Sequence, residues 1–288
     1  MRSVLPVSLS LPLSFSLSVA LAFTAAFAPA RAAEPTPLLR AHAHNDYEHA
    51  RPLLDALDCG FGSIEADIYL VAGQLLVAHN AKDVKPGRTL EALYLDPLRS
   101  RVQQNGGRVY RGGGGPTVTL LVDVKSEAAT TYAALHARLE KYAAMLTVFR
   151  DGVATPGAIT VILSGNRARA ELVAQPVRYA ALDGRLDDLT ANPSAALVPW
   201  ISDNWAKHFT WKWTGPMPEA DRTKFHALIA QAHAQGRRIR FWNTPDTPEA
   251  WQLLHAAGVD LINTDHLADL RDFFHTTAAS AVPRSRTP

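Results

Sequence analysis

The stretch Gly60-Phe61-Gly62-Ser63-Ile64-Glu65-Ala66-Asp67 decides how this chain is read. Ser63–Leu70 has the apolar character of a strand, yet it carries two carboxylates, Glu65 and Asp67. Residues two apart on a strand point to the same face. An apolar core does not tolerate a pair of acids on one face, so this face must open on a site.

Working outward, further apolar, β-branched runs read as strands at Leu39–Asn45, Val118–Val124, Ile159–Leu163, Val177–Leu182, Leu197–Ser202, Ile239–Trp242 and Leu261–Thr264. Helical patterns fall between them, at Pro52–Leu57, Thr89–Gln104, Glu127–Phe149, Arg169–Val173, Glu219–Gln235, Pro248–Ala257 and His266–His275. Alternating β and α elements predict a parallel sheet with helices outside it. About eight such units in roughly 250 residues are the count of a single TIM-type (β/α)8 barrel, with irregularity allowed. The rival, a doubly wound open sheet, needs a glycine-rich phosphate turn after its first strand. His42-Ala43-His44-Asn45-Asp46 stands there instead, and the glycine run Gly112–Gly115 precedes a strand rather than linking strand to helix.

The strands end in polar groups. The first ends in His44-Asn45-Asp46, and Leu75-Leu76-Val77-Ala78, taken as a continuation of the second, runs into His79-Asn80. The third carries Asp123-Val124-Lys125, the sixth ends in Ser202-Asp203-Asn204, the seventh in Trp242-Asn243 and the eighth in Thr264-Asp265. In a barrel such ends converge on one face, where active sites sit. Glu65, Asp67 and Asp123 then form a cluster whose mutual repulsion calls for a cation. Hard oxygen ligands select one divalent ion, Mg²⁺ or Ca²⁺. Ordinary ion pairing, such as Lys125 with Asp123, is the plainer alternative for each acid. His44 and His79 are the acid–base candidates, because two imidazoles near neutrality can take one proton and give another. Lys125 can neutralise charge developing beside the cation. Asn45, Asn204 and Trp242 are the candidate substrate contacts. His42 shares a face with His44, and His42-x-His44 with Asp265 superficially suggests a zinc hydrolase, but that reading leaves Glu65, Asp67 and His79 without roles. Trp200, Trp205, Phe209, Trp211 and Trp213 crowd one stretch, either as core or as an apolar wall around a leaving group.

The ends and the composition set further bounds. Arg2, an apolar run from Val4 to Phe27 and the small-residue triplet Ala30-Arg31-Ala32 read as a signal peptide over residues 1–32. That reading predicts an exported protein, periplasmic or secreted, with the barrel over residues 33–277 and a disordered tail over 278–288. The only cysteine, Cys59, excludes an internal disulfide. A formal net charge of +2 with mixed signs excludes a nucleic-acid or polybasic membrane footprint.

At these residues the chain resembles the phospholipase C-like phosphodiesterase superfamily, which includes the glycerophosphodiester phosphodiesterases. The resemblance is carried by His44, Gly60–Asp67, Leu76-Val77-Ala78-His79, Asp123-Val124-Lys125 and Gly258-Val259-Asp260-Leu261-Ile262-Asn263-Thr264-Asp265, in the family's order. Trp242 falls where that family has a late-strand tryptophan. Asn45 and Asp46 replace an arginine and a glycine, and the Pro-Glu-Asn segment has no counterpart. His44-Asn45-Asp46-Tyr47 and Arg240-Phe241-Trp242-Asn243-Thr244-Pro245 look more like the branch of the altered inheritance of mitochondria protein six. The resemblance implies a barrel that cleaves a small-molecule or lipid phosphodiester, with His44 and His79 as the acid–base pair and the three acids on the cation. It leaves room for peripheral membrane contact and names no obligate protein partner. Alternatives are transphosphatidylation, as in the similar sphingomyelinase D proteins, and a catalytically silent binding barrel.

Overall fold

Eight strands run parallel around the molecule: β1 (Leu38–Ala43), β2 (Phe61–Val71), β3 (Val118–Val124), β4 (Ile159–Gly165), β5 (Ala180–Gly184), β6 (Trp200–Asn204), β7 (Arg238–Trp242) and β8 (Ile262–Thr264). The computed structural model describes residues 34–111 and 115–281, with side chains as far as 278. Each strand from β1 to β6 hydrogen-bonds its successor, and β8 returns to pair with β1. Between β7 and β8 a lone bridge, Arg240 to Leu261, nearly closes the barrel. Side chains reinforce that seam. Asn263 donates to the Phe241 carbonyl at 2.6 Å, and Asp260 accepts from the Ile239 amide at 2.9 Å.

The side-chain period of two sorts the residues into layers. Outward positions such as Ile64, Ala66, Leu120 and Val122 join the main core beneath the helices. Inward positions Leu121, Ile162, Ala181, Trp200 and Leu261 make a separate apolar cluster inside the barrel. Two residues further along the same strands stand Asp123, Ser164, Asp183, Ser202 and Asn263. The barrel is therefore dry at its lower level and polar at its carboxyl end, as the strand ends predicted.

The structure departs from the expected elements in several places. The segment Gln74–Val77 does not continue β2; it folds back antiparallel on it. Ala72 and Gly73 both have positive φ, 47° and 77°, which suits the tight two-residue turn between them. The helix expected over Glu127–Phe149 stops early. Ala128–Leu139 is α-helical, capped by the Glu127 carboxylate on the amides of Ala129 and Thr130, and a 3₁₀ segment Glu140–Met145 follows. The chain then forms a small antiparallel sheet from Val148–Arg150, Val153–Thr155 and Val177–Arg178. Phe149 from this sheet packs into the apolar cluster inside the barrel. The last helix, Leu267–Ala281, outruns its expected end at His275 and takes in the first residues of the expected tail. The signal peptide read over residues 1–32 lies outside the described residues, as does the chain beyond Ala281. No helix among the described residues is long and apolar enough to cross a membrane.

Candidate active site

β2 and β3 pair in a register that sets Asp67 beside Asp123. With Glu65 two residues back on β2, one oxygen from each acid lies within 4.8 Å of the others. Among the described residues this is the only such group. Gly165, at the end of β4, has a φ of 67°, and a Cβ there would strike the Asp123 carboxylate and the Val124 backbone. Glycine is what lets Asp123 lie across the strand end.

The acids differ in surroundings. Glu65 accepts from Nε2 of the fully buried His42 at 3.0 Å and has Arg240 at 3.4 Å. Burial alone would raise its pKa, but the His42 hydrogen bond and the Arg240 charge outweigh it and hold Glu65 below the usual carboxylate range. Burial, then Arg240, pushes the His42 imidazole down to about 3, so His42 is a neutral donor to Glu65 and accepts from Ser63 Oγ at 2.7 Å. Asp67 is 1 % exposed, and burial followed by the charge of Glu65 pushes its carboxyl up to about 7. Burial and Glu65 raise Asp123 as well, against the pull of Lys125. Lys125 bridges the two aspartates, 3.1 Å from Asp67 Oδ2 and 3.2 Å from Asp123 Oδ1. Burial disfavours its charge, but both carboxylates raise it above its ordinary value, so the ammonium persists.

A divalent cation fits these residues. Oδ1 of Asp67 is buried with no hydrogen-bond partner, an arrangement that costs free energy unless a cation meets it. The donors are hard oxygens, and Lys125 with Arg240 leaves three ionised acids one negative charge in surplus.

Two imidazoles flank the cluster. His44 follows β1, with Nδ1 2.8 Å from Asp265 Oδ1. Burial works to lower its pKa, but the Asp265 hydrogen bond and the nearby carboxylates raise it. His79 is carried back over the site by the antiparallel arm. Its Nδ1 is 3.0 Å from the Tyr47 hydroxyl, which also lies 2.7 Å from Asp67 Oδ2 and 2.6 Å from Asn45 Oδ1. A cleft of about 380 Å³ is lined by His44, Asn45, Glu65, Asp67, His79, Asp123, Lys125 and Trp242 from among the expected residues.

Asn204 stands apart from that lining. Its carbonyl caps the short helix Trp205–His208 at the Ala206 amide and accepts from Asn243 at 3.0 Å. Of the aromatic stretch, Trp200, Trp205 and Phe209 are core, the latter two packed against Phe225 and Phe241, while Trp211 and Trp213 are half-buried beside them. Sequence reasoning missed Tyr47, Arg240, and the far wall formed by Ser164, Asp183 and Arg185. Asp183 there accepts from Ser164 at 2.6 Å and from Arg185 at 2.7 Å. Asp183 and Ser164 were findable as inward positions ending β5 and β4. Tyr47 gave no signal beyond its place after the His44-Asn45-Asp46 run.

The AIM6-like phosphodiesterase domain model matches residues 32–181, more than half of the chain. The chain belongs to the AIM6-like phosphodiesterase family. A second model, the glycerophosphoryl diester phosphodiesterase family, matches residues 238–268, which span β7 and β8. Among relatives, an altered inheritance of mitochondria protein 6 homolog from Arthroderma benhamiae is 27% identical over 81% of this chain and 83% of its own. Altered inheritance of mitochondria protein 6 from Eremothecium gossypii is 29% identical over 85% and 72%. A Silicibacter pomeroyi crystal structure, provisionally described as a glycerophosphoryl diester phosphodiesterase, superposes with a TM-score of 0.50. It covers 84% of this chain and 95% of its own at 15% identity, a likeness of fold.

These relatives of the AIM6-like chain correct the expected location. Their names tie them to mitochondria, not to a periplasm or the cell exterior. An apolar run followed by small residues describes how a leader meets a membrane, and hydropathy alone does not fix the compartment.

Proposed function

We propose that this AIM6-like domain hydrolyses a phosphodiester whose alcohol is small and polar, with residues 33–277 as the working unit. Glu65, Asp67 and Asp123 would hold one Mg²⁺ or Ca²⁺, which when bound polarises the phosphoryl group and offsets its charge. The observation that carries the reading is the unpartnered, buried Oδ1 of Asp67 in a triad of acids that two anchored imidazoles flank.

His44 is assigned as base. Asp265 fixes its Nδ1 and favours the imidazolium, as a carboxylate does for the base of a hydrolase triad. Water attacks phosphorus as His44 takes its proton. The bond from phosphorus to the alcohol oxygen breaks, and His79 delivers a proton to that oxygen. Lys125 holds Asp67 and Asp123 in place and offsets charge on the phosphoryl oxygens. Trp242 and Asn45, in the cleft lining, are proposed to contact the substrate. Most of the lining residues are charged or polar, which favours a small polar alcohol over a long acyl chain.

The test is a panel of glycerophosphodiesters, lysophospholipids and sphingomyelin, assayed with Mg²⁺, with Ca²⁺ and with chelator. Chelator-sensitive turnover of a glycerophosphodiester is the expected result. No turnover of any diester with either ion would overturn the reading.

A further inference from the structure

The His79 ring is 55 % exposed, and few groups hold it in place. Among the described residues its ring nitrogens meet only the Tyr47 hydroxyl, at 3.0 Å, and Asp67 Oδ2, at 3.4 Å. Both contacts are to Nδ1. Tyr47 is itself 2 % exposed, and its carbonyl accepts from Arg88 at 2.7 Å, so the phenol is a buried, anchored post beside an exposed ring.

A phenol has one proton and two lone pairs. Asp67 Oδ2, at 2.7 Å, competes for that proton with Asn45 Oδ1, at 2.6 Å. A carboxylate is the stronger acceptor. With the proton on the Asp67 side, the phenol oxygen has lone pairs left for an N–H. Only Nδ1–H of His79 fills that role at 3.0 Å. The chain of bonds then runs from His79 Nδ1–H to the Tyr47 oxygen, and from the Tyr47 O–H to Asp67 Oδ2. It leaves Nε2 of His79 as the atom that carries the exchangeable proton.

We propose that Tyr47 is a positioning residue that selects the His79 tautomer, tying Nδ1–H to the phenol so that Nε2 serves the substrate, and that it does so through Asp67. The same bond engages Oδ2 of Asp67 and leaves Oδ1 for the acidic cluster. This inference rests on the proposed roles of His79 and Asp67, but its principal readout does not involve turnover. A free imidazole in water prefers its proton on Nε2, so the proposed bond inverts the ordinary preference.

Nitrogen-15 spectra of the full chain labelled in histidine, with His79 assigned by His79→Gln, report the tautomer directly. In its neutral form the wild-type His79 should show a pyrrole-like Nδ1 and a pyridine-like Nε2. Tyr47→Phe keeps the ring in the core and removes only the hydroxyl, and in it the preference should revert to Nε2–H. Replacement by 3-fluorotyrosine keeps a hydroxyl and should restore the wild-type pattern. On an alkyl diester, Tyr47→Phe should lower kcat about 10–100-fold with KM within about threefold, the pattern of a transition-state defect. An Nε2–H tautomer in the wild type, or an unchanged tautomer in Tyr47→Phe, overturns the proposal. Absence of turnover in the wild type instead sinks the proposed reaction and leaves the tautomer result standing.

Discussion

Nδ1 of His44 and Oδ1 of Asp265 lie 2.8 Å apart, although the two residues are 221 positions distant in sequence. The contact joins the end of β1 to the loop after β8, and those strands are hydrogen-bonded neighbours. A carboxylate there raises the pKa of His44 against the effect of burial.

Asp265→Asn removes that charge, so the His44 pKa should fall. A base must be deprotonated to act, and the acid limb of kcat/KM should therefore move to lower pH. The plateau rate should drop with it, because a less basic imidazole is a weaker base. A limb that stays in place or moves upward would reject His44 as the base.

Asp67 titrates near 7 without a cation, so below that pH a proton occupies the ligand. Cation affinity should fall as pH drops through about 7, and binding near neutrality should release a proton. Calorimetry in two buffers of different ionisation enthalpy measures the release. Asp67→Asn should reduce the pH dependence, leaving that of Asp123, and weaken binding by at least about tenfold, roughly 1.4 kcal/mol. Equal affinity in both proteins would show that Asp67 is no ligand.

His79→Ala should cost a factor of roughly 10²–10⁴ on an alkyl diester, the usual worth of a positioned acid. A nitrophenol departs with little protonation, so on that ester the loss should be much smaller. His44→Ala should hurt both substrates alike. Mutant-to-wild-type ratios on the two esters decide the matter, and identical ratios for His79→Ala would remove it from the acid role.

Gly165→Ala puts a Cβ against Asp123 at a φ of 67°. It should destabilise the fold by about 1–3 kcal/mol and weaken cation binding through displacement of Asp123. A thermal melt and the same calorimetry test it; an unperturbed melting temperature with unaltered cation affinity would mean that Asp123 tolerates the shift.

The barrel was legible because most of the candidate strands are apolar runs that end in polar groups, and because Glu65-Ala66-Asp67 and Asp123-Val124-Lys125 announce an inward polar face by spacing alone. The carboxylate cluster followed from that spacing plus strand adjacency. What stayed hidden depends on distance rather than pattern. Tyr47 precedes its partner His79 by 32 residues, and a turn at Ala72-Gly73 brings them together. His42 shares a face with His44, yet it is fully buried and donates to Glu65, which its place in the sequence did not reveal. The run Glu127–Phe149 read as one helix because its alanines outweigh Val148 and Phe149, two residues suited to the small sheet. Asn204 looked like every other polar strand end; its use as a helix cap depends on the helix that follows.

The seam between β7 and β8 has a dynamic consequence. Other neighbouring staves share runs of ladder bonds, whereas this join has one bridge and a few side-chain stitches from Asn263 and Asp260. Sub-global opening starts where the fewest bonds must break together. Amide hydrogens of Ile262 and of Arg240–Trp242 should therefore exchange for deuterium sooner than those of β3 and β4. The stave bearing Trp242 and the Asp265 anchor of His44 would breathe, while the carboxylates on β2 and β3 stay still. One half of the cleft would then stay rigid, and the other would be the side that opens first.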